Sequence, residues 1–441
     1  MSKAKVRTRI APSPTGIPHI GNTRTALFDY LLAKKYDGDF ILRIEDTDQK
    51  RLVPEALEAT YEILDFLGLQ PDESPKKPGK YGPYVQTERL DIYQKYAQEL
   101  IDKGFAYKDD GAIRIKMPKE GYASWKDLVQ KKISFPYNEV DDKVLLKSDG
   151  VPTYHLAAMV DDHLMEISHI LRGVEWISST PVHLVIYQAL GWQMPILAHV
   201  PLLLGPDKSK LSKRHGAKSI LGLRDDGYLP EALNNFMFYL GFSYQDNSKL
   251  LTLKEMIGIF DETKLQKQNA IYDVQKLNYF NSHWIKRLED EDIFDRLLKF
   301  GFIPKKWLGD EDKLRKIVSL VKERMHTLKD FAKLAECFFE YKLPQVKEIT
   351  DQTEADVAAT RDWLSQASQV MEKLSDFTGE KIHTALGELQ KNSAFTPRQA
   401  FMSLRVAGTA STITPPLFDT FAVIGKQEII KRLKQIDELL K

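Results

Sequence analysis

The chain has 441 residues and an almost balanced charge, with 63 Lys and Arg against 62 Asp and Glu, which gives no support by itself to nucleic-acid binding. A single hydrophobic core stops growing at about 250–300 residues, so we expect roughly two to four domains. No apolar run approaches the roughly 20 residues that cross a bilayer, and no apolar segment follows the basic start, which predicts a cytoplasmic protein without a membrane partner.

The N-terminal part alternates between strand and helix patterns. Val6, Thr8 and Ile10 alternate with Arg7 and Arg9, which predicts a strand. The prolines and glycine of residues 12–16 predict a loop. A helical spacing follows, then a strand over residues 40–44 and a helix over residues 54–67 that Gly68 ends. This order is typical of a parallel α/β sheet.

The alternation changes after Tyr107, where a mixed segment begins that we interpret as an insertion. The α/β pattern resumes beyond residue 150, with a strand over residues 166–172, a helix capped by Ser179 or Thr180, and a strand over residues 197–204.

Helical patterns dominate beyond residue 230, including residues 313–328 and 427–440. The sequence therefore predicts five segments with the boundaries 1–107, 108–147, 148–229, 230–310 and 311–441.

A histidine-glycine motif, His19-Ile20-Gly21-Asn22, lies between the first strand and the first helix. Ligands bind at this edge of an α/β sheet, because backbone N–H groups and the positive end of the helix dipole meet there. Gly21 would let the backbone approach a nucleotide closely, and His19 can donate a hydrogen bond to charge that develops on a phosphate. A purely structural histidine is the alternative.

A basic pentapeptide, residues 210–214, lies beside glycine and proline residues later in the chain. Its lysines can neutralise phosphates that move apart during phosphoryl or adenylyl transfer. A solvated surface loop is the alternative for this run of charge.

The two motifs in this order resemble those of class I aminoacyl-tRNA synthetases. Residues 19–22 resemble the HIGH signature, with Asn22 in place of its last histidine, and residues 210–214 resemble the KMSKS signature, with Arg214 in place of its last serine. The glutamyl branch often shows such variants. Further resemblance to the bacterial type of this branch is carried by residues 9–16, 43–48, 154–156, 160–163 and 171–173. The resemblance covers most of the chain and implies a Rossmann-like α/β catalytic domain with a short insertion, followed by all-helical tRNA-binding domains.

The resemblance implies a glutamate pocket formed by Arg9, Ser13, Glu45, Tyr154 and Arg172. Glutamate brings two carboxylates and an ammonium, so guanidinium groups and one anion suit it. We expect Arg172 to bind the side-chain carboxylate, because its buried charge would lack a counter-ion beside neutral glutamine. A solvated, salt-bridged strand end is the alternative for Glu45.

The resemblance also implies that ATP and L-glutamate form glutamyl-adenylate, which is transferred to the 3′ end of tRNA-Glu. His19, Lys210 and Lys213 would be catalytic, and with Mg²⁺ they would stabilise the leaving pyrophosphate. Glu175, beside Trp176, is expected on the adenine and ribose side. The residues implied to bind ATP are Gly16, His19, Gly21, Asn22, Glu175, Lys210, Ser212 and Lys213.

The triplet Asp161-Asp162-His163 raises the question of a bound metal. At the end of a strand these side chains would point in different directions, so we expect no protein-held metal ion. The chain has one cysteine, Cys337, which excludes an intrachain disulfide and a thiolate-rich zinc site, and we expect no zinc.

The remaining segments are expected to bind tRNA-Glu, by resemblance. Residues 108–147 lie where the family contacts the acceptor stem, residues 230–310 would contact the inner corner of the tRNA, and residues 311–441 resemble a helical anticodon-binding domain. Arg315 and Arg324 are candidates for anticodon contacts, with solvated helix positions as the alternative. The family suggests a monomer.

The sequence thus predicts a glutamate-tRNA ligase. A tRNA-modifying glutamyl transferase would lack the anticodon half, and a non-catalytic tRNA-binding paralogue would not need an intact adenylation site. A nucleotidyltransferase with a similar histidine-glycine motif would need no anticodon domain. Charging of tRNA-Gln, and whether activation requires bound tRNA, are left open.

Overall fold

The computed structural model describes residues 5–211 and 218–441. The contacts divide the chain into two compact units, Met1–Phe280 and Asn281–Lys441. Among the residues described, no helix has both the length and the apolar character needed to cross a membrane. The finer division into five segments stays a prediction.

The first unit begins with the predicted alternation of strand and helix. Its first four elements are β1 (Arg7–Ile10), α1 (Ile20–Lys35), β2 (Asp39–Leu42) and α2 (Pro54–Leu67). The strands β1 and β2 are parallel. Pro54 occupies the first turn of α2, and Gly68 ends the helix with a φ of 73°, which glycine adopts without strain. The helix predicted over residues 54–67 is confirmed.

The segment interpreted as an insertion consists mainly of strands. It follows α3 (Leu90–Asp102) and contains β3 (Ala106–Asp109), β4 (Ala112–Ile115), β5 (Tyr122–Asp127), β6 (Lys131–Pro136) and β7 (Val144–Leu146). The strands β3, β4 and β7 form an antiparallel sheet, and β5 and β6 form a hairpin.

The second half of the α/β region completes a sheet to which this hairpin belongs. Its elements are α4 (Tyr154–Leu164), β8 (His169–Gly173), α5 (Thr180–Leu190), β9 (Ile196–Val200) and β10 (Leu203–Leu204). The order is β6-β5-β9-β8, and the end of β5 pairs in parallel with β9 where Asp127 faces Leu197. The strand β8 lies beside β1, since the Ser168 N–H donates to the Arg7 carbonyl over 3.0 Å. The segment interpreted as an insertion therefore contributes two strands to the sheet that contains β8 and β9.

The prediction that Asp161, Asp162 and His163 follow a strand is wrong. They lie near the end of α4, where both aspartates are fully buried and His163 stacks on Trp192 with 3.9 Å between ring centroids. The helix is buried on nearly every side from Leu156 onward, so its sequence lacks the polar face that indicates a surface helix.

The remaining elements of the first unit are mainly helical, as predicted. They are α6 (Ile220–Asp225), α7 (Pro230–Tyr239), α8 (Leu253–Ile259) and the two-residue strand β11 (Ala270–Ile271). The helix α9 (Val274–Arg287) follows, and the boundary between the units falls within it.

The second unit is helical throughout its described elements, which confirms the predicted fold class. Beyond α9 it contains α10 (Asp290–Lys299), α11 (Glu311–Val321), α12 (Asp330–Phe339), α13 (Val346–Thr353), α14 (Val357–Lys373), α15 (Gly379–Lys391), α16 (Pro397–Thr409), α17 (Leu417–Ile424) and α18 (Lys426–Leu439). The helix predicted over residues 313–328 ends earlier, at Val321, because the Asp330 carboxylate accepts from the N–H groups of His326 and Thr327 and holds a turn there.

Candidate active site

His19 lies in the connection between β1 and α1, where it is the N-cap of α1. Its Nδ1 accepts hydrogen bonds from the backbone N–H groups of Gly21 (3.1 Å) and Asn22 (3.3 Å). Partial burial, and then the charge of Lys210, lower the pKa of His19. The ring is therefore neutral near pH 7, with its proton on Nε2, where it can be donated to a ligand.

Gly21 is required by the position of His19. A Cβ atom at residue 21 would lie 2.9 Å from Cε1 and 3.0 Å from Nδ1 of the His19 ring. The sequence suggested that this glycine serves close approach to a nucleotide, and the structure adds that it leaves room for the histidine cap.

Two charged side chains act on the pKa of His19 in opposite directions. Lys210 lowers the pKa of His19 and Glu175 raises it, and both side chains are exposed. Lys210 follows β10 and forms an antiparallel bridge with Leu204. The predicted residues Ser212 and Lys213 lie outside the described residues.

Arg172, at the end of β8, has only neutral hydrogen-bond acceptors among the described residues. Its Nε donates to His199 Nε2 (3.0 Å), its Nη1 to the Tyr154 hydroxyl (3.3 Å) and His183 Nδ1 (3.2 Å), and its Nη2 to Thr180 Oγ1 (2.9 Å). The residue is 6% exposed. A buried guanidinium without a carboxylate is costly, so this site suits an anionic ligand.

Arg9, the other predicted guanidinium, already has a counter-ion. Its Nε contacts Asp162 Oδ1 at 3.1 Å, and both side chains are buried. Its Nη1 reaches the Leu171 carbonyl at 3.5 Å, so Arg9 lies next to the strand that carries Arg172. The structure thus brings the two arginines to the same edge of the sheet but gives only Arg9 a carboxylate partner within the described residues.

Glu45 lies on the same edge, after β2. Its Oε1 accepts from Arg43 Nη2 over 2.9 Å, and its backbone N–H donates to the Pro12 carbonyl over 3.0 Å. Burial raises the pKa of Glu45, against the opposing charge of Arg43. The neighbouring loop carries Ser13 and Gly16, both exposed.

Tyr154 and Trp176 form an aromatic surface beside Arg172. Their ring centroids are 4.1 Å apart, and the Tyr154 hydroxyl accepts from the guanidinium. Of the predicted glutamate-pocket residues, Tyr154 and Arg172 are in direct contact. Trp176 therefore packs against the ring of the residue that contacts Arg172.

Two family models together match most of the chain. The model described as "tRNA synthetases class I (E and Q), catalytic domain" matches residues 5–112 and 109–279. The model described as "Anticodon binding domain" matches residues 292–436.

Curated relatives narrow the family. A glutamate–tRNA ligase of Dehalococcoides mccartyi is 38% identical over 97% of this chain and 96% of its own length. The chain belongs to the glutamate–tRNA ligases of the class I tRNA synthetases. A glutamate–tRNA ligase of Borreliella burgdorferi is 37% identical over 99% of each chain.

Solved structures agree with this family. A glutamate tRNA ligase of Elizabethkingia meningosepticum, in complex with its amino acid, has a TM-score of 0.91 and 33% identity over 99% of this chain and all of its own. A glutamate-tRNA synthetase of Elizabethkingia anophelis has a TM-score of 0.88 and 33% identity over 98% of this chain.

The two arginines predicted to contact the anticodon differ in their surroundings. In this member of the glutamate–tRNA ligases, Arg315 forms ion pairs with Glu291 and Glu311 and lies 4.1 Å from the centroid of the Phe294 ring. Arg324 is exposed. To contact the anticodon, Arg315 would have to exchange its ion pairs with Glu291 and Glu311 for contacts with the RNA. The anticodon contacts of Arg315 and Arg324 both stay predictions.

Sequence reasoning missed the residues behind Arg172. Asp127, His183 and His199 were not singled out, although His199 is the one polar side chain in residues 197–204. A polar residue inside an apolar strand needs a buried partner, and that was the available signal.

Proposed function

We propose that the protein activates L-glutamate with ATP and transfers it to the 3′ end of tRNA-Glu. The observation that carries this proposal is Arg172, a buried guanidinium whose described partners are all neutral. A γ-carboxylate supplies the missing negative charge and can accept charge-assisted hydrogen bonds. Membership of the glutamate–tRNA ligases supports the same substrate.

Charge explains why glutamate is preferred over glutamine. An amide in the same place would leave the Arg172 charge without a counter-ion and would set its own N–H groups against those of the guanidinium. The discrimination follows from binding alone and needs no editing step. Glu45, Arg9 and Ser13 are proposed to complete the pocket around the α-amino and α-carboxylate groups.

For the adenylation step we propose that ATP lies against the N-terminus of α1, with its phosphates near His19 and Lys210. The His19 Nε2 proton and the Lys210 ammonium stabilise negative charge on the phosphates, and the backbone N–H groups at the helix start add to this. Gly16, Asn22, Glu175, Ser212 and Lys213 are proposed to contribute to the same nucleotide site. Mg²⁺ bound to the phosphates of the nucleotide would further neutralise their charge.

The proposal extends to the partner and setting of the reaction. The match of residues 292–436 to an anticodon-binding domain supports tRNA-Glu as the acceptor. Arg324 is proposed to contact it there. We further propose a monomer that acts in the cytoplasm.

Aminoacylation of purified tRNA transcripts tests the function. We expect labelled glutamate to be attached to tRNA-Glu and labelled glutamine not to be attached, and a parallel reaction with tRNA-Gln reports whether the enzyme discriminates. A folded protein that binds ATP but charges neither tRNA contradicts the proposal.

A further inference from the structure

Arg172 contacts a buried pair formed by Asp127 and His199 through its Nε, whereas Tyr154 is contacted by its Nη1. Asp127 Oδ2 is 2.6 Å from His199 Nδ1, and both side chains are inaccessible to solvent. His199 Nε2 is 3.0 Å from Arg172 Nε. These contacts connect a carboxylate of the predicted insertion to the guanidinium proposed to bind glutamate.

The hydrogen bond from Arg172 shows which tautomer of His199 is present. A guanidinium can only donate hydrogen bonds, so His199 Nε2 must accept from Arg172 and cannot carry a proton. The remaining ring proton is on Nδ1, where it is donated to Asp127. Burial, followed by the charge of Arg172, lowers the pKa of His199 against the opposing hydrogen bond to Asp127, and the ring is neutral.

Asp127 is held in turn by the backbone. Its Oδ1 accepts from the N–H groups of Val129 (3.0 Å) and Gln130 (2.8 Å), in the turn between β5 and β6. The carboxylate also accepts from the His199 N–H, at 3.2 Å from Oδ1. The position of the carboxylate is therefore set by backbone groups of the β5–β6 turn and of β9.

The guanidinium keeps one donor for a ligand. Arginine has five N–H groups, and four of them are used in the contacts with His199, Tyr154, His183 and Thr180. Among the described residues, the second N–H of Nη2 has no acceptor. The direction of that N–H depends on the plane of the guanidinium, which the Nε contact with His199 helps to fix.

We propose that Asp127 and His199 are positioning residues that orient Arg172 for the glutamate side chain and thereby set the affinity for this amino acid. The inference rests on the proposed function, because it assigns Arg172 to the γ-carboxylate. Asp127 fixes the tautomer of His199, and His199 fixes the plane of Arg172 without touching the substrate.

Asp127→Asn tests the proposal with an almost isosteric change. The new side-chain amide keeps an acceptor for the backbone N–H groups but turns an N–H towards His199 Nδ1. The ring must then carry its proton on Nε2, where it faces the Arg172 Nε–H donor to donor. We expect KM for glutamate to rise about 10- to 100-fold, as for loss of a hydrogen bond to a charged group, with KM for ATP unchanged.

Two further variants control for structural damage. Asp109→Asn changes an exposed carboxylate of the same insertion that pairs with Arg114, and we expect wild-type kinetics. His199→Gln can donate to Asp127 and accept from Arg172 through one amide, so we expect it to keep more of the glutamate affinity than Asp127→Asn.

Nitrogen-15 spectra of the wild-type histidines decide the proposal if Asp127→Asn does not fold. We expect His199, assigned by its absence in His199→Gln, to be neutral with the proton on Nδ1. A charged ring, a proton on Nε2, or an Asp127→Asn variant with wild-type KM for glutamate or an equal rise in both KM values overturns the inference. Failure of the wild-type protein to charge tRNA with glutamate would instead overturn the proposed function, and the tautomer would still be measured.

Discussion

The two buried arginines of this site differ in whether their hydrogen-bond acceptors carry a charge. Arg172 donates to acceptors that carry no charge, while Arg9 donates to Asp162. The two guanidinium groups have the same charge and similar burial, 6% and 4% exposed, yet only Arg172 needs an external anion among the described contacts. The difference predicts which of the two is the more sensitive to the charge of the amino acid.

Arg172→Gln should remove this sensitivity. The side chain keeps hydrogen-bonding capacity but loses the charge, so we expect kcat/KM for glutamate to fall at least about 100-fold. Arg172→Lys keeps the charge but lacks the planar guanidinium, so its kcat/KM for glutamate should lie between those of the wild type and Arg172→Gln. Steady-state aminoacylation kinetics measure all three proteins, and an unchanged kcat/KM in Arg172→Gln would remove Arg172 from the pocket.

Gly21→Ala should displace the His19 ring, because the new methyl group would lie about 3 Å from it. If His19 acts in adenylation as proposed, its displacement should lower kcat of that step about 10- to 100-fold, since a misplaced catalytic group costs up to about 100-fold in rate. If the glycine serves only the approach of ATP, KM for ATP rises instead. Gly258→Ala, where a methyl group meets open space, is the matched control.

The sequence predicts candidate site residues where neighbours along the chain carry the signal. His19, Gly21 and Arg172 lie in short contiguous motifs, so they were identified without a structure. Asp127 and His199 were not, because they are 72 positions apart and meet only through the pairing of β5 with β9.

At the scale of elements, α4 connects several parts of the catalytic sheet through two buried carboxylates. Asp162 accepts from Arg43 Nη1 at 2.7 Å and from Arg9 Nε at 3.1 Å, so one side chain joins α4 to both β1 and the end of β2. Asp161 accepts from Arg89 and Tyr93 on the α3 side. Because α4 is buried on nearly every side, its sequence lacks the pattern of a surface helix. The same burial means that each of its carboxylates and the arginine that it pairs with depend on each other for charge neutralisation.

Asp162→Ala should therefore be strongly destabilising. The change leaves two buried guanidinium groups short of negative charge, and we expect a loss of about 3–5 kcal/mol in the free energy of unfolding. Glu58→Ala, which breaks an exposed pair with Lys76, should cost no more than about 1 kcal/mol. Denaturant unfolding compares the two, and equal losses would contradict the structural role of Asp162.

Helix α2 shows the opposite case, in which the sequence was sufficient. Pro54 at its first turn and Gly68 at its end are local signals, and four apolar positions repeat with helical spacing between them. Nothing outside residues 54–68 was needed to find it. The strand β5 depends on distant partners, and the sequence indicated only a mixed segment there, neither the strand nor its pairing with β9.

At the scale of the whole molecule, buried histidines tie the stability of the first unit to pH. Arg172 donates to His183 Nδ1, so the His183 proton is on Nε2, 3.2 Å from His155 Nδ1. Burial, then Lys143 and Arg172, lower the pKa of His155 to about 4. Burial, then Arg172 and neighbouring histidines, also lower the pKa of His183.

We expect the contribution of His155 to be lost in acid. Between its unfolded value of 6.5 and its folded value of about 4, the unfolded chain binds the proton and the folded chain does not, so stability rises with pH and is complete above 6.5. The difference in unfolding free energy between wild type and His155→Gln should change by about 3 kcal/mol across this interval. A difference that does not vary with pH would show that the pKa of His155 is the same in the folded and unfolded chains, and would contradict the lowered value.

The division of the chain into two units affects the interpretation of unfolding experiments. Arg172, His19 and the carboxylates of α4 all belong to Met1–Phe280, whereas the proposed anticodon contacts belong to Asn281–Lys441. Unfolding of the chain is therefore not expected to follow one two-state transition, and probes within the first unit are the ones that report on the site.

The contact between residue 21 and the His19 ring also constrains how this chain can diverge. As long as the histidine keeps this position, a side chain at residue 21 collides with it, so we expect the two positions to be conserved together. A descendant that gave up adenylation and lost the histidine would be released from this constraint, and substitutions would accumulate at both positions. We therefore expect the glycine to be retained in lineages that still use the histidine.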